Sequence, residues 1–317
     1  MILINSIKKD PSTNKVIDWI KHYNEAADVF RHNPEDLIFR VSIDFENQNN
    51  LGVRIDVNCN RYCRIIELDE VKSYWYRRGE FNFSLTQTSN RMEHDIYTFL
   101  NEEWLKTSEF INKRLLEKRK LGDVADNKIN KFEVLFIASG LGIDIPRTFI
   151  STQPVDRDNL VSKGIYHNCF IIDGKHSVGS FTIRVDDFRS SSFFPSQFQK
   201  EIPKLYELRI FYLFGKFYTS VIFSQENQQT EVDFRDYDKQ TPNRVVPYQL
   251  PEYIEVKLKK LMTALKLETG SIDMIVTPEK KYVFLEVNPI GQFDQVSVPC
   301  NYHLEEKIAN YLLYGEN

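Results

Sequence analysis

Hydrophobic residues at helical spacing mark two long segments in the N-terminal third of the chain. The first, VIDWIKHYNEAADVFR (16–31), follows two residues suited to cap a helix, Ser12 and Thr13. The second spans residues 91–120 and carries one apolar stripe, formed by Ile96, Phe99, Leu100, Trp104 and Leu105. Both segments predict amphipathic helices.

Runs rich in β-branched and aromatic residues predict strands over much of the remaining chain. Among them, in chain order, are DLIFRVSIDF, GVRIDVNC, ELRIFYL, KFYTSVIF, GSIDMIV and KYVFLEV. The third and fourth runs are separated only by Phe214 and Gly215, which predicts a tight hairpin, and the last two predict another. Helices mixed with antiparallel hairpins indicate an α+β fold with antiparallel sheets in the C-terminal half.

The length of 317 residues is large for a single hydrophobic core and predicts two or three packed units, with a junction at KLGDVADN, near residue 125. The net charge of -4 gives no reason to expect the basic stripe that nucleic-acid binding requires. No apolar run approaches the ~20 residues of a membrane span. The opening residues MILINSIKKD do not resemble a signal peptide. We therefore expect a cytoplasmic protein that binds neither nucleic acid nor membrane.

Cysteine and histidine form no recognisable metal or catalytic pattern. Only Cys59 and Cys63 are close in the sequence, and no second pair completes a zinc site. The six histidines are scattered, so a Cys–His or Ser–His catalytic pair has no support. We expect the cysteines to be reduced thiols.

The last predicted hairpin brings two carboxylates together. With a four-residue loop, Pro278–Lys281, Thr277 faces Tyr282 and Asp273 falls directly opposite Glu286. Because opposed like charges on paired strands are destabilising, we expect a cation to compensate them.

Asn288 lies two residues after Glu286 and therefore points to the same face. Two carboxylates and an amide oxygen suit a hard divalent cation. Mg²⁺ fits best, because it usually takes one or two carboxylates and completes its shell with water and phosphate oxygens. The sequence thus predicts Asp273, Glu286 and Asn288 as metal ligands. The alternative is that Asp273 or Glu286 is simply solvated at a strand end.

These two strands, IDMIV and YVFLEVNP, resemble the C-terminal metal-binding strands of ATP-grasp ligases. The resemblance covers about residues 126–300, in the right order and with similar spacing. Three more segments carry the resemblance. NKFEVLFIASGLGIDIPRTFI resembles the opening segment of these ligases, and VSKGI resembles the strand that carries their second nucleotide-binding lysine. FQKEIPKLYELRIFYLFGKFYTSVIFSQ resembles their adenine hinge, followed by the Glu-x-Arg strand.

Four further segments resemble peptide maturases of the graspetide, or microviridin, type, and the grasp-with-spasm variant is closest. They are WYRR (75–78), SQ (224–225), DFR (233–235) and EVNPIGQFDQVSVPCNYHLEEKIA. The chain departs from the ATP-grasp pattern at the glycine-rich phosphate loop, for which the short DGKHSVGS is the one candidate.

The resemblance implies an ATP-grasp fold with three parts. Residues 1–125 would form an N-terminal α/β domain, 126–195 a small central subdomain, and 196–317 a C-terminal antiparallel-sheet subdomain with the metal site. Residues 1–125 carry no ATP-grasp motif, so they either recognise the peptide or only complete the fold.

ATP and Mg²⁺ are the cofactors that the resemblance implies. Lys131 and Lys163 would contact the phosphates and adenine. A solvated surface amine is the alternative for each, although Lys163 lies in an apolar strand where an unpaired ammonium is costly.

The segment from Gln199 to Ile202 would be the hinge, with backbone groups of Glu201 and Ile202 on the adenine edge. Glu207 would reach the ribose, or it is an exposed alternating residue on a half-buried strand.

By the same resemblance two arginines have catalytic roles. Arg209, on the same face as Glu207, would act at the transferring phosphoryl group, with a cross-strand ion pair as the alternative. Arg235 would hold the substrate carboxylate or acyl phosphate, or else form a salt bridge with Asp233 or Asp236.

The chemistry implied is ADP-forming carboxylate ligation through an acyl phosphate, which an alcohol or amine then attacks. The chain would join Asp or Glu side chains of a ribosomal precursor peptide to Ser or Thr as esters, or to Lys as amides. That precursor would have a leader and an acidic, Ser/Thr-rich core, and the family alone suggests a homodimer. The alternatives are a ligase that adds amino acids to a protein tail or small molecule, and a non-catalytic ATP-binding scaffold.

Arg77 and Arg78 would attract the acidic core peptide. The alternative is that WYRR is an edge strand with solvated arginines.

Overall fold

A computed structural model of the chain describes residues 1–47, 50–59, 62–83, 91–155, 159–163, 170–172, 175–177, 182–185, 192–223 and 243–315. The chain divides into two compact units, Met1–Asn127 with His303–Asn317, and Lys128–Tyr302. The C-terminal helix is thus grouped with the first unit, whereas the sequence analysis grouped it with the C-terminal subdomain. No helix within the described ranges is long and apolar enough to cross a membrane.

The helices are α1 (Pro11–Tyr23), α2 (Arg91–Leu115), α3 (Lys131–Gly140), α4 (Glu252–Ala264), α5 (Asp294–Cys300) and α6 (Leu304–Tyr314). The strands are β1 (Ile2–Asn5), β2 (Val29–His32), β3 (Leu37–Asn47), β4 (Asn50–Asn58), β5 (Cys63–Glu67), β6 (Ser73–Tyr76), β7 (Arg119–Leu121), β8 (Thr148–Ser151), β9 (Leu160–Lys163), β10 (Phe170–Ile172), β11 (Lys175–Ser177), β12 (Ile183–Val185), β13 (Ser196–Lys200), β14 (Tyr206–Leu213), β15 (Lys216–Phe223), β16 (Arg244–Tyr248), β17 (Thr269–Val276) and β18 (Tyr282–Asn288).

The first unit contains a parallel sheet with the strand order β2-β1-β6-β7. The interior strands β1 and β6 are buried at every position, as parallel strands usually are. The alternative that WYRR is an edge strand is therefore wrong. Parallel strands with helices make this unit the predicted N-terminal α/β element.

Helix α1 lies earlier than its hydrophobic pattern predicted. Pro11 opens the helix and Asp10 caps it, with an Asp10 side-chain oxygen accepting a hydrogen bond from the backbone N–H of Ser12 at 3.0 Å. The predicted cap residues Ser12 and Thr13 are buried in the first turn instead. The end of the predicted helix 16–31 forms strand β2, because its apolar residues are needed for the sheet.

A second, antiparallel sheet of the first unit has the order β3-β4-β5. Its first two strands confirm the predicted pair, and residues 48–49 of the turn lie outside the described residues. The predicted helix over 91–120 is observed as α2, which ends at Leu115 because the chain then enters β7.

The second unit contains a small sheet, β12-β9-β13-β8, and a five-stranded antiparallel sheet, β16-β15-β14-β17-β18. Helices α3 and α4 cover one face of the larger sheet. Apolar side chains of both helices and of β14, β15, β17 and β18 form a single buried core there, including Val134, Leu135, Leu258, Leu261, Leu208, Ile210, Val221, Ile272, Met274 and Phe284. Because strand side chains alternate, the other face of these strands is left for polar groups.

The turn between β14 and β15 confirms the predicted two-residue hairpin. Leu213 pairs with Lys216, and both connecting residues have positive φ angles, 44° at Phe214 and 86° at Gly215. Two successive residues with positive φ are the mark of a type I′ turn, whose twist matches that of the strands.

The hairpin β17–β18 has the predicted pairing of Asp273 with Glu286, but its loop length and register differ from the prediction. Tyr282 pairs with Val276 rather than with Thr277, so the loop is one residue longer than predicted. A β-bulge at Leu285 then shifts the register by one residue. The two deviations cancel, and Asp273 lies opposite Glu286 as predicted.

Candidate functional site

Charged side chains form a row across the polar face of the five-stranded sheet. Arg209 on β14 pairs in register with Asp273 on β17, which pairs with Glu286 on β18. Glu207 and Asn288 lie two residues along β14 and β18, and hence on the same face. The sheet therefore brings five of the residues predicted from the sequence to one surface.

Both carboxylates of the predicted metal site are buried, and each forms an ion pair with a basic side chain. Asp273 forms an ion pair with Arg209, and Glu286 Oε2 lies 3.1 Å from Lys131 Nζ. Side-chain exposure is only 11% for Asp273 and 5% for Glu286. The alternative that either residue is simply solvated at a strand end is therefore wrong.

Arg209 makes the cross-strand ion pair that the sequence analysis gave as its alternative role. Its Nε is nevertheless buried and has no hydrogen-bond partner among the residues that the structure describes. A buried donor without an acceptor is costly, and a guanidinium presents several donors in a fixed fork. The arginine thus keeps a donor that an anionic ligand could satisfy if the side chain turned toward it, and its catalytic role stays a prediction.

Lys131 reaches the row from the first turn of α3. Asn130 caps that helix, because its side-chain oxygen accepts from the backbone N–H groups of Phe132 and Glu133. The ammonium group is mostly shielded and paired with Glu286, so the solvated-amine alternative does not hold for Lys131.

Asn288 ends β18 and opens a tight turn. The backbone N–H of Gly291 donates to the carbonyl of Asn288 at 3.0 Å. A side chain at Gly291 would lie within 2.2 Å of the Ser271 side chain, and Ser271 is the cross-strand partner of Asn288. Glycine is therefore required for the chain to turn close to the β17 strand and hold Asn288 at the end of the row.

The predicted hinge runs from the end of β13 toward β14. Gln199 is buried, and its side-chain amide donates to the hydroxyl of Thr148 at 3.1 Å. The backbone N–H of Glu201 donates to Asn159 O at 2.8 Å, and the Glu201 carboxylate pairs with Arg184. An adenine contact from Glu201 would therefore use its carbonyl oxygen. Ile202 follows and is partly buried.

Sequence reasoning missed Lys204, which is only 7% exposed and lies 2.6 Å from the carboxylate of Glu207. Burial of both partners argues against the alternative that Glu207 is an exposed strand residue. No motif marks Lys204, although its position three residues before an acidic strand residue is a usable signal.

The structure does not test two of the predicted site residues, Lys163 and Arg235. Lys163 ends β9, where its backbone pairs with Gln197, but its side chain lies outside the described residues. Arg235 and the SQ and DFR segments fall in 224–242, which also lies outside them. Of DGKHSVGS, only 175–177 is described, as strand β11.

The predicted peptide-binding arginines lie at the end of β6. Arg77 is buried, and its Nε donates to Asp10 Oδ2 at 2.9 Å. This environment does not favour a peptide contact by Arg77. Arg78 is half-buried, and its backbone N–H donates to the Asn5 carbonyl at 3.0 Å.

The donor set on the polar face fits Mg²⁺ better than a transition metal. Within the described ranges, no group of three or more His, Cys, Asp or Glu side chains is placed to hold a metal. Asp273, Glu286 and Asn288 supply oxygen only, and they are the small number of ligands that Mg²⁺ takes when phosphate and water complete its shell. To bind the metal, Asp273 and Glu286 would have to release their present ion-pair partners, Arg209 and Lys131.

Comparison of the sequence with protein-family models and with curated proteins gives no match. Solved structures do match over the full length. A RiPP-associated ATP-grasp ligase from Chryseobacterium gregarium, in complex with ADP and a leader and core peptide, is 25% identical, with a TM-score of 0.77 over 100% of this chain and 97% of that chain.

Two macrocyclases from Microcystis aeruginosa are also similar. MdnC, bound with the precursor peptide MdnA, is 28% identical, with a TM-score of 0.72 over 98% of this chain and 99% of that one. MdnB is 23% identical, with a TM-score of 0.73 over 99% of each chain. The resemblance inferred from the motifs is confirmed, and its closeness to the grasp-with-spasm variant stays a prediction. Over its whole length, the chain has the ATP-grasp fold of the RiPP-associated ligases.

Proposed function

We propose that this chain is an ATP-dependent peptide macrocyclase of the graspetide type. It phosphorylates Asp or Glu side chains of a ribosomal precursor peptide and joins them to Ser or Thr as esters, or to Lys as amides. The observation that carries the proposal is the buried row of Arg209, Asp273 and Glu286 across three strands, in a chain with this fold. ATP and Mg²⁺ are its cofactors.

The charge balance of the row explains why these residues suit phosphoryl transfer. A substrate carboxylate next to a triphosphate brings like charges together, and each pair costs roughly 4 kcal/mol at 4 Å with an effective dielectric of about 20. Asp273, Glu286 and Asn288 would hold Mg²⁺, which would supply positive charge at that point. Arg209 and Lys131, released from Asp273 and Glu286 by the metal, add two cations that stabilise the charge developing in the transition state.

Nucleotide recognition is assigned to the segments around β9, β13 and β14. Lys131 and Lys163 contact the phosphates and adenine, the hinge from Gln199 to Ile202 holds the adenine edge, and Glu207 accepts from the ribose hydroxyls. Support comes from the position of Glu207, which lies two residues from Arg209 on β14 and therefore on the same face as the row.

Substrate recognition is assigned to cations outside the metal site. Arg235 holds the substrate carboxylate or the acyl phosphate, and Arg78 attracts the acidic core peptide. The leader of the precursor is recognised by residues 1–125. The Chryseobacterium ligase and MdnC, both solved with such peptides, support a peptide partner for a chain of this fold.

We place the reaction in the cytoplasm, where ATP and newly made ribosomal peptides are both present. Cys59, Cys63 and Cys300 are free thiols, in keeping with a reducing compartment.

Mass spectrometry tests the proposal directly. The full chain is incubated with ATP, Mg²⁺ and the precursor peptide encoded beside its gene, with a parallel reaction that lacks ATP. Macrocyclisation removes one water per ring, and only when ATP is present. Addition of a free amino acid would instead increase the mass and support the amino-acid ligase, and an unchanged mass would support the non-catalytic scaffold.

A further inference from the structure

A cavity of about 150 Å³ lies on the helix-covered side of the five-stranded sheet, at the end where β17 turns into β18. Helix α4, strand β17, the loop of the β17–β18 hairpin and the segment that follows α3 all contribute to it. Met274 lines the cavity, whereas its neighbour Asp273 belongs to the row on the opposite face, because strand side chains alternate. The cavity is therefore separate from the proposed metal site.

The inner part of the cavity is apolar. Ile254, Leu258 and Met274 line it there, and each is at most 5% exposed. The rings of Tyr253 and Tyr282 form a corner beside them, with centroids 6.2 Å apart and planes at 89°. Such a corner can receive a third ring through edge or face contacts. The lining thus suits an apolar, ring-shaped group.

The volume limits the size of that group. Pockets for drug-sized ligands usually measure about 300–1,000 Å³, so a nucleotide does not fit into this cavity. An apolar cavity of about 150 Å³ takes one benzene molecule. A ligand with a single six-membered ring is therefore the appropriate size.

Positive charge dominates the remaining lining. Lys257, Lys280 and Lys281 border the cavity, and Asp144 is the one carboxylate among the described lining residues. Within the described ranges, none of the three ammonium groups forms an ion pair with a carboxylate. Lys257 instead donates a hydrogen bond to the carbonyl of Gly142. Three ammonium groups against one carboxylate favour an anionic ligand.

An ordered turn holds the two loop lysines in place. The backbone N–H of Lys280 donates to the carbonyl of Thr277 at 2.8 Å, and the N–H of Thr277 donates to the carbonyl of Lys281 at 3.0 Å. Lys280 has a φ angle of 60°, in the left-handed region that few residues other than glycine adopt. The turn fixes the backbone from which both side chains extend, and such preorganisation lowers the entropy lost when a ligand binds.

We propose that this cavity is a binding site for a small aromatic carboxylate. The ring enters the apolar part, between the tyrosine corner and Met274, and the carboxylate lies among the three lysines. Both halves of the ligand are needed, because the ring buries apolar surface and the carboxylate balances the ammonium groups. The site lies outside the proposed ligase reaction and does not depend on it.

A comparison of three ligands tests the proposal on the full chain. Benzoate is titrated by saturation-transfer NMR in the presence of saturating ADP and Mg²⁺, and we expect a Kd of about 1 mM or below. Benzyl alcohol has the ring without the charge, and acetate has the charge without the ring. Each should bind at least about tenfold more weakly than benzoate.

Charge reversal in the hairpin loop tests the location. Lys280→Glu/Lys281→Glu should raise the Kd for benzoate at least about tenfold, because like charges then face the carboxylate. Both residues are exposed, so the circular dichroism spectrum should not change. Lys259→Glu/Lys260→Glu makes the same change of charge at exposed positions of α4 outside the cavity, and should leave the Kd within about twofold of the wild-type value.

Three results would each overturn the proposal. They are the absence of benzoate binding, equal binding of benzyl alcohol and benzoate, and equal weakening by the two double variants. The comparison of ligands uses the wild-type chain alone, so it still decides the matter if the loop variant does not fold.

Discussion

Two buried Arg–Asp ion pairs, one in each unit, show how similar chemistry serves different purposes. In the first unit, Arg77 Nε donates to Asp10, which also caps α1. In the second unit, Arg209 pairs with Asp273, but within the described ranges its Nε has no hydrogen-bond partner, and another carboxylate, Glu286, lies opposite Asp273 on the next strand. The first pair fastens a helix to a sheet, whereas the second lies on one polar surface with a further buried ion pair, Lys131–Glu286. Burial of an ion pair is therefore not evidence of function until its neighbours are counted.

The largest expected effect is at the carboxylate beside the second pair. Glu286→Gln should abolish ring formation, a loss of at least about 100-fold, because the amide is a much weaker ligand for Mg²⁺. Mass spectrometry of the precursor peptide measures the rings, and circular dichroism checks that the fold is intact. Ring formation near the wild-type rate would show that Glu286 does not hold the metal.

Removing the arginine of each pair should separate their roles through magnesium. Arg77→Met and Arg209→Met each remove the arginine from a buried ion pair, which costs about 3–5 kcal/mol of stability. Mg²⁺ with ATP should stabilise Arg209→Met more than it stabilises the wild type, because Asp273 can then bind the metal without first releasing Arg209, whereas Arg77→Met should gain only as much as the wild type gains. Urea unfolding with and without Mg²⁺ and ATP measures both. Equal stabilisation of the two variants by Mg²⁺ and ATP would mean that the pairs do not differ as inferred here.

The sequence was sufficient to predict the row across β14, β17 and β18, but not all of its surroundings. An assumed four-residue loop placed Asp273 opposite Glu286, and the prediction held because the longer loop and the bulge at Leu285 compensate each other. Neither feature has a sequence signal, so the agreement was partly fortunate. The role of Arg77 was missed for a different reason: its partner Asp10 is 67 residues away, and only the parallel sheet brings them together.

We expect a smaller effect at Lys204, which forms a third buried ion pair with Glu207, between the hinge and the row. Lys204→Met should raise the KM for ATP about tenfold and reduce the preference for ATP over 2′-deoxy-ATP, because Glu207 then lacks the cation that orients it. Lys204→Arg should restore much of that preference. Steady-state kinetics with both nucleotides measure it, and Lys260→Met, an exposed lysine on α4, is the control. An unchanged ratio of the two KM values would exclude a ribose role for the Lys204–Glu207 pair while leaving the ligase reaction in place.

The smallest effect is expected at Asp10, where two substitutions separate its role as a helix cap from its ion pair with Arg77. Asp10→Asn keeps a good helix cap and loses only the charge facing Arg77, whereas Asp10→Ala loses both. The alanine variant should therefore be less stable than the asparagine variant by about 1 kcal/mol, the usual value of an N-cap. Urea unfolding of the two variants gives this difference. If they unfold at the same urea concentration, the cap contributes nothing and the Arg77 pair accounts for the whole stabilisation by Asp10.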